Sequence, residues 1–224
     1  MDVQALLLSV RLAAVVSAAL LVIGLPIAYW LTISRWRWKF LVESVVALPL
    51  VLPPTVLGFY VLVAIGAQSP IGRVWSNWFG HGLAFTFEGL VLASILYSLP
   101  FAVQPFTAAF SQVDPPLLEA SAILGASRWQ TFRRVLVPLS RNGIVTGVVL
   151  SFAHTIGEFG VVVMVGGNLP GVTRTVSIAI YDDVQALNMA RANATALVLF
   201  VFSGLVLASV YALNRRVWSV QPKI

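Results

Sequence analysis

The sequence predicts an all-α integral membrane protein of about five spanning helices, with one polar helix-turn-helix set between two of them. Three observations predict it. The 224 residues are 59% hydrophobic and only 10% charged, against about 25% charged in an average soluble domain, and mean hydropathy is +0.92. Five windows, residues 12–33, 43–65, 85–110, 142–165 and 193–213, each supply the roughly 20 mostly apolar residues that a crossing helix needs. Residues 114–138 are the one strongly polar stretch in an otherwise membrane-like chain.

Taken in order, the first window is longer than the roughly 7–15 apolar residues of a cleaved signal. No small-x-small cleavage pattern follows it, so it is expected to stay as a membrane helix. The second window contains Leu48-Pro49-Leu50-Val51-Leu52-Pro53-Pro54-Thr55, which cannot form one straight helix because proline removes a hydrogen bond and clashes with the preceding turn. A helix broken near the midplane exposes backbone groups to a solute, so Pro49, Pro53 and Pro54 are assigned to the translocation path, while Pro26, Pro100 and Pro105 read as packing kinks. Residues 75–79, rich in Trp and Phe, read as an interfacial patch.

The polar stretch reads as two helices. Asp114 suits an N-cap and Pro115 a first turn, and Glu119 is expected near the positive end of that helix. Gly125 suits the left-handed ending. Ser127 with Gln130 reads as a capping box opening a second helix, whose end Pro138 is expected to limit. Ala120, Ser121 and Ala122 give a small-residue face that lets another protein's groove approach closely.

In the fourth and fifth windows the polar candidates are Ser151, His154, Thr155, Glu158 and Asn193. Ser151 and Thr155 are placed on the path with Glu158 and its neighbour Phe159. A carboxylate within a span is costly, so Glu158 is expected to serve a gate or structural role, partnered by Arg174 or Arg191. His154 is expected to be a satisfied packing residue. Residues 175–189, interrupted by Asp182, Asp183 and Gln185, read as a re-entrant or cavity-lining segment, with the two aspartates on a solvated outer turn.

Orientation follows from the basic residues. Arg35, Arg37 and Lys39, then Arg128, Arg133, Arg134 and Arg141, then Arg215, Arg216 and Lys223 fall on alternate connections, leaving Arg11, Arg73, Arg174 and Arg191 opposite. The positive-inside bias then puts the N-terminus outside and the polar stretch and C-terminus in the cytoplasm. The net charge of +6 is accounted for by this topology and calls for no nucleic-acid partner. With no cysteine, disulfides and thiolate metal sites are excluded. The only lysines, Lys39 and Lys223, do not follow a glycine, so the phosphate-cradling loop Gly-x-x-x-x-Gly-Lys-Ser/Thr is missing. No metal cluster or nucleophile–base set stands out, and neither catalysis nor a cofactor is expected.

Residues 114–138 resemble the EAA loop of the permease subunits of bacterial ATP-binding-cassette importers. Glu119, Ala120, Gly125 and Pro138 match the family spacing, while Ser121, Val135 and Val137 replace its Ala, Ile and Leu. The resemblance implies the type I importer fold over a single permease domain, residues 1–224, with the coupling loop at 111–141. It also implies that Asp114, Glu119, Ala120, Ser121, Gly125 and Pro138 form the contact with a cytoplasmic ATPase. Further segments, residues 47–58, 155–160 and 167–175, are similar to molybdate permeases within that family. From this follow an oxyanion solute, with molybdate ahead of sulfate, thiosulfate or tungstate, and a bacterial inner-membrane location. The implied partners are a second copy, two ATP-binding subunits, an extracytoplasmic oxyanion-binding protein and the lipid bilayer. A stand-alone secondary transporter or channel would show buried charge relays or internal repeats, and neither stands out here. A small membrane enzyme would need a reactive cluster.

Overall fold

The computed structural model of the protein describes residues 2–218, with side chains described through Ala212, and among these every regular element is a helix. In chain order the helices are α1 (Val3–Ile33), α2 (Lys39–Ala47), α3 (Pro54–Ile65), α4 (Pro70–Phe79), α5 (Phe87–Ser111), α6 (Pro115–Ile123), α7 (Arg128–Thr131), α8 (Val137–Leu139), α9 (Arg141–Gly157), α10 (Gly160–Gly166), α11 (Val176–Gln185) and α12 (Met189–Trp218). Among the described residues three helices, α1, α5 and α12, are long and apolar enough to cross a membrane alone, and bent pairs raise the total to as many as five.

The first helix starts nine residues ahead of the expected window. Its extra turns exist because the Asp2 carboxylate accepts from the Ala5 N–H at 3.0 Å and caps the helix. Pro26 in α1 and Pro100 and Pro105 in α5 leave their helices continuous, as expected for single kinks. The clustered prolines act differently. A 3-10 turn at Leu48–Leu50 follows α2, and α3 then departs at 110°. The fourth window is also broken, which the apolar pattern had concealed. Helix α9 stops at Gly157, Glu158 and Phe159 leave helical geometry, and α10 restarts at Gly160. The glycines flanking the break make it inexpensive.

The core is a three-helix contact of α1, α5 and α9, filled by Leu12, Val16, Leu20, Leu90, Val103, Phe106 and Phe110. Lipid tails are as apolar as leucine, so such contacts rest on close packing and on short hydrogen bonds between helices. Gly147 of α9 presses on Phe106 so closely that a Cβ there would lie 2.5 Å from its ring. Ser98 of α5 and Thr155 of α9 share a hydrogen bond at 2.9 Å, and Ser9 of α1 accepts from the Val176 N–H of α11 at 2.8 Å. A second cluster joins α3 to α10 through Leu57, Val61, Ile65, Val161 and Val165.

Within residues 175–189 only Val176–Gln185 form a short helix, α11, whose Val176 and Ile178 are buried. Asp182 and Asp183 are not merely solvated. Asp182 lies 3.1 Å from Arg174 and accepts from Asn168, and Asp183 lies 3.4 Å from Arg191. Of the basic residues expected after the last span, Lys223 and the side chains of Arg215 and Arg216 lie outside the description.

Candidate functional site

Two regions carry the candidate function: the helical hairpin after α5, and a string of clefts along one face of α5. In the hairpin, α6 begins at Pro115, and Asp114 holds the N-cap position but makes no side-chain capping bond. Glu119 falls in the second turn, beyond the unpaired N–H groups of the first, so the expected charge–dipole contact is not made. Gly125 has φ +80, the left-handed ending expected. The Ser127–Gln130 capping box is complete, with both reciprocal bonds present at 3.3 and 2.8 Å.

Pro138 does not end the second helix. The chain continues through it to Leu139, and the preceding turn, Phe132–Leu136, widens into a π-helix. Proline lacks an N–H and crowds the carbonyl four residues back, and a widened turn relieves both faults. The helix ends instead at Ser140, whose hydroxyl donates to the Ala109 carbonyl at 3.2 Å, and α9 leaves at 75°.

The hairpin has two faces. Ser121, expected at the partner contact, is buried and bonded to the Thr131 hydroxyl, so it holds α6 onto α7. Phe132 meets Tyr29 of α1 at 4.9 Å and Phe110 of α5 at 6.1 Å, and Leu136 is buried. Outward stand Glu119 and Ala120, with Ile123, Leu124 and Trp129 strongly exposed. Sequence reasoning missed Phe132, although Trp129, Phe132 and Leu136, at i, i+3 and i+7, form an apolar stripe that was the available signal.

The clefts begin where the two broken helices meet. A cavity of about 570 Å³ is lined by Pro54 and Thr55 at the start of α3, Tyr97 of α5, His154 of α9, and Glu158 and Phe159 at the second break. Glu158 is 3% exposed, and among the described residues no hydrogen bond of good geometry reaches either carboxylate oxygen. The buried Ser94 hydroxyl stands within interaction range of that carboxyl and has no other partner among the described residues. The expected arginine partners are engaged elsewhere, Arg174 with Asp182 and Arg191 with Asp183. His154 is satisfied, bonded to Ser98 through Nδ1 at 2.9 Å and stacked on Phe101 at 3.9 Å.

A second cleft, about 320 Å³, continues past Leu50, Phe101 and Gln104, and shares Pro105, Ala108 and Leu150 with a crevice of about 730 Å³ that reaches Gln112, Asp114 and Asn142. Tyr97, Phe101, Gln104 and Ala108 recur at helical spacing, so one stripe of α5 runs from the helix breaks to the hairpin. Among the described residues, none that lines the three spaces is Lys or Arg. Pro54, Glu158 and Phe159 are thus brought together. Pro49, Pro53, Ser151 and Thr155 are not among the lining residues. Pro49, Ser151 and Thr155 are buried, and the last two bond between helices.

Residues 20–219 match the family of binding-protein-dependent transport system inner membrane components. The chain is 50% identical to the molybdenum transport system permease protein ModB of Azotobacter vinelandii, over 96% of this chain and 95% of that protein. It is 32% identical to the sulfate transport system permease protein CysT of Escherichia coli K12, over 87% of this chain and 70% of that protein. In fold it is similar to a chain of the inward-facing MetNI methionine ABC transporter, with a TM-score of 0.73 at 20% identity, covering 99% of this chain and 96% of that one.

Proposed function

We propose, from the premise that the chain belongs to the family of binding-protein-dependent transport system inner membrane components, that it is the permease subunit of an ATP-driven molybdate importer in the bacterial inner membrane. The observation that carries the solute is the higher identity to the molybdenum permease than to the sulfate one. The clefts along α5 would form half of a path that a second copy closes. In that path Thr55, in the first turn of α3, Tyr97 and Gln104 offer hydrogen bonds to a passing oxyanion without a fixed cation to trap it. Helix N-termini hold anions through unpaired N–H groups, and conduction requires a site weak enough to leave. Selection would then fall to an extracytoplasmic binding protein.

The outward face of the hairpin, Glu119, Ala120, Ile123, Leu124 and Trp129, would seat in each of two cytoplasmic ATPase subunits. Closure of the ATPases would draw the two hairpins together, and Phe132 and Leu136, lodged against α1 and α5, would transmit that motion into the spans. Glu158 would act at the gate, where both helices break. The test is uptake of radiolabelled molybdate into proteoliposomes holding this chain with its ATPase and binding protein. Competition by tungstate but not sulfate is the expected outcome. Equal competition by sulfate would overturn the solute assignment and leave the importer architecture standing.

A further inference from the structure

We propose that α4 lies in the outer headgroup region of the bilayer, as a lateral anchor for the broken helix α3. Its partner is a lipid surface. The inference rests on the geometry of α4 and is independent of the solute.

Helix α4 sits at the opposite end of α5 from the hairpin, since it precedes the start of α5 and the hairpin follows its end. It is a defined helix, capped by the Ser69 hydroxyl on the Gly72 N–H at 2.9 Å and closed by Gly80 at φ +76. Its inner side is already used. Gly72 lies so close to the Gly66 carbonyl that a Cβ would stand 2.1 Å from its oxygen. Trp75 packs with the cluster around Ile65 and Leu83.

The apolar sector of α4 is wider than this core contact needs. Ile71, Val74 and Trp78, at i, i+3 and i+7, form one stripe, and they are 54%, 58% and 81% exposed. Arg73, Ser76 and Asn77 occupy the other side, and the Arg73 guanidinium folds back onto the Gln68 carbonyl at 2.8 Å. Phe59, Tyr60 and Val63 of α3 are exposed as well, and α3 is in contact with α4, so both helices carry apolar surface that the rest of the chain leaves uncovered. Trp is enriched at headgroup depth because its ring is apolar and its N–H seeks a polar partner. A short helix with one apolar face and one polar face settles about 5–10 Å into that boundary. Anchored there, α4 would hold the outer end of α3 while its inner end, at Pro54, borders the cleft.

The chain contains no cysteine, which makes the test direct. Single variants Ile71→Cys, Val74→Cys, Trp78→Cys, Arg73→Cys and Asn77→Cys are spin-labelled in the full chain, reconstituted in phosphatidylcholine–phosphatidylglycerol liposomes. Collision rates are then read with oxygen, which partitions into lipid, and with a water-soluble nickel chelate. The expected result is a several-fold higher oxygen-to-chelate ratio at 71, 74 and 78 than at 73 and 77. Equal chelate access at all five positions would overturn the proposal and leave α4 in water. Shielding of 71, 74 and 78 from both reagents would overturn it in favour of a protein contact. Should Trp78→Cys fail to insert, 71 and 74 report the same stripe.

Discussion

Glu158 lies in a nearly closed environment where, among the described residues, no hydrogen bond of good geometry reaches its carboxylate oxygens, and a buried polar group without such partners is destabilising by about 1–3 kcal/mol. Glu158→Met, similar in volume and apolar, is therefore expected to raise the thermal midpoint of the purified chain while lowering molybdate uptake. A fall in the midpoint would reveal a partner for the carboxylate and count against the gate role. Gly125 is the other residue with a backbone requirement. At φ +80 a proline, fixed near −65°, cannot occupy it, and alanine would bear roughly 1–2 kcal/mol of strain. Gly125→Pro is expected to leave insertion and ATP hydrolysis intact while abolishing uptake. Coupled uptake in that variant would refute the docking assignment, and Ala120→Lys, on the exposed face, gives the same reading without disturbing the backbone.

At the scale of elements, the hairpin is legible from sequence because its signals are local. The capping box and the left-handed glycine each depend on residues within three positions of one another. What local signals left undecided is which side of the hairpin faces inward, since Ser121 and Ala120 are both small and only packing against Thr131 turns Ser121 in. Phe132 is the hinge of this arrangement, wedged among Tyr29, Phe110 and Trp129. Phe132→Ala is expected to cost up to about 3 kcal/mol of stability, below the range for a fully buried ring. Transport per ATP hydrolysed should fall several-fold, measured by paired uptake and hydrolysis assays. An unchanged ratio would mean that the motion passes elsewhere. Gly147→Leu would force Phe106 aside and is expected to destabilise the α5–α9 contact by about 1–3 kcal/mol, read as a lower thermal midpoint.

For the whole molecule, the line of clefts along α5 is open on one side, which supports the proposal that a second copy completes the path. Gln104 is exposed on that stripe. In the cysteine-free background, Gln104→Cys is expected to cross-link to its counterpart in a second copy with a short bifunctional maleimide. A chain that stays monomeric under these conditions would place the path elsewhere. Ser151 and Thr155, placed on the path from sequence, are tied to neighbouring helices in the structure. Hydroxyls in a span serve equally well as a solute lining or as ties between helices, and the bonds to Ser17 and Ser98 show the second use, which sequence could not reveal.

The sequence by itself determined the membrane setting, the proline break between α2 and α3, and the hairpin, because hydropathy, proline and capping chemistry act over a few neighbouring residues. Only the tertiary structure decided the break at Glu158, the pairing of Arg174 and Arg191 with Asp182 and Asp183, and the meeting of Thr55, Tyr97, His154 and Glu158 at one cleft. These join positions far apart in the chain. In a chain this apolar almost every face of every helix is a candidate for burial, so the choice among faces is made by close packing and by a few hydrogen bonds, neither of which leaves a periodic mark in the sequence.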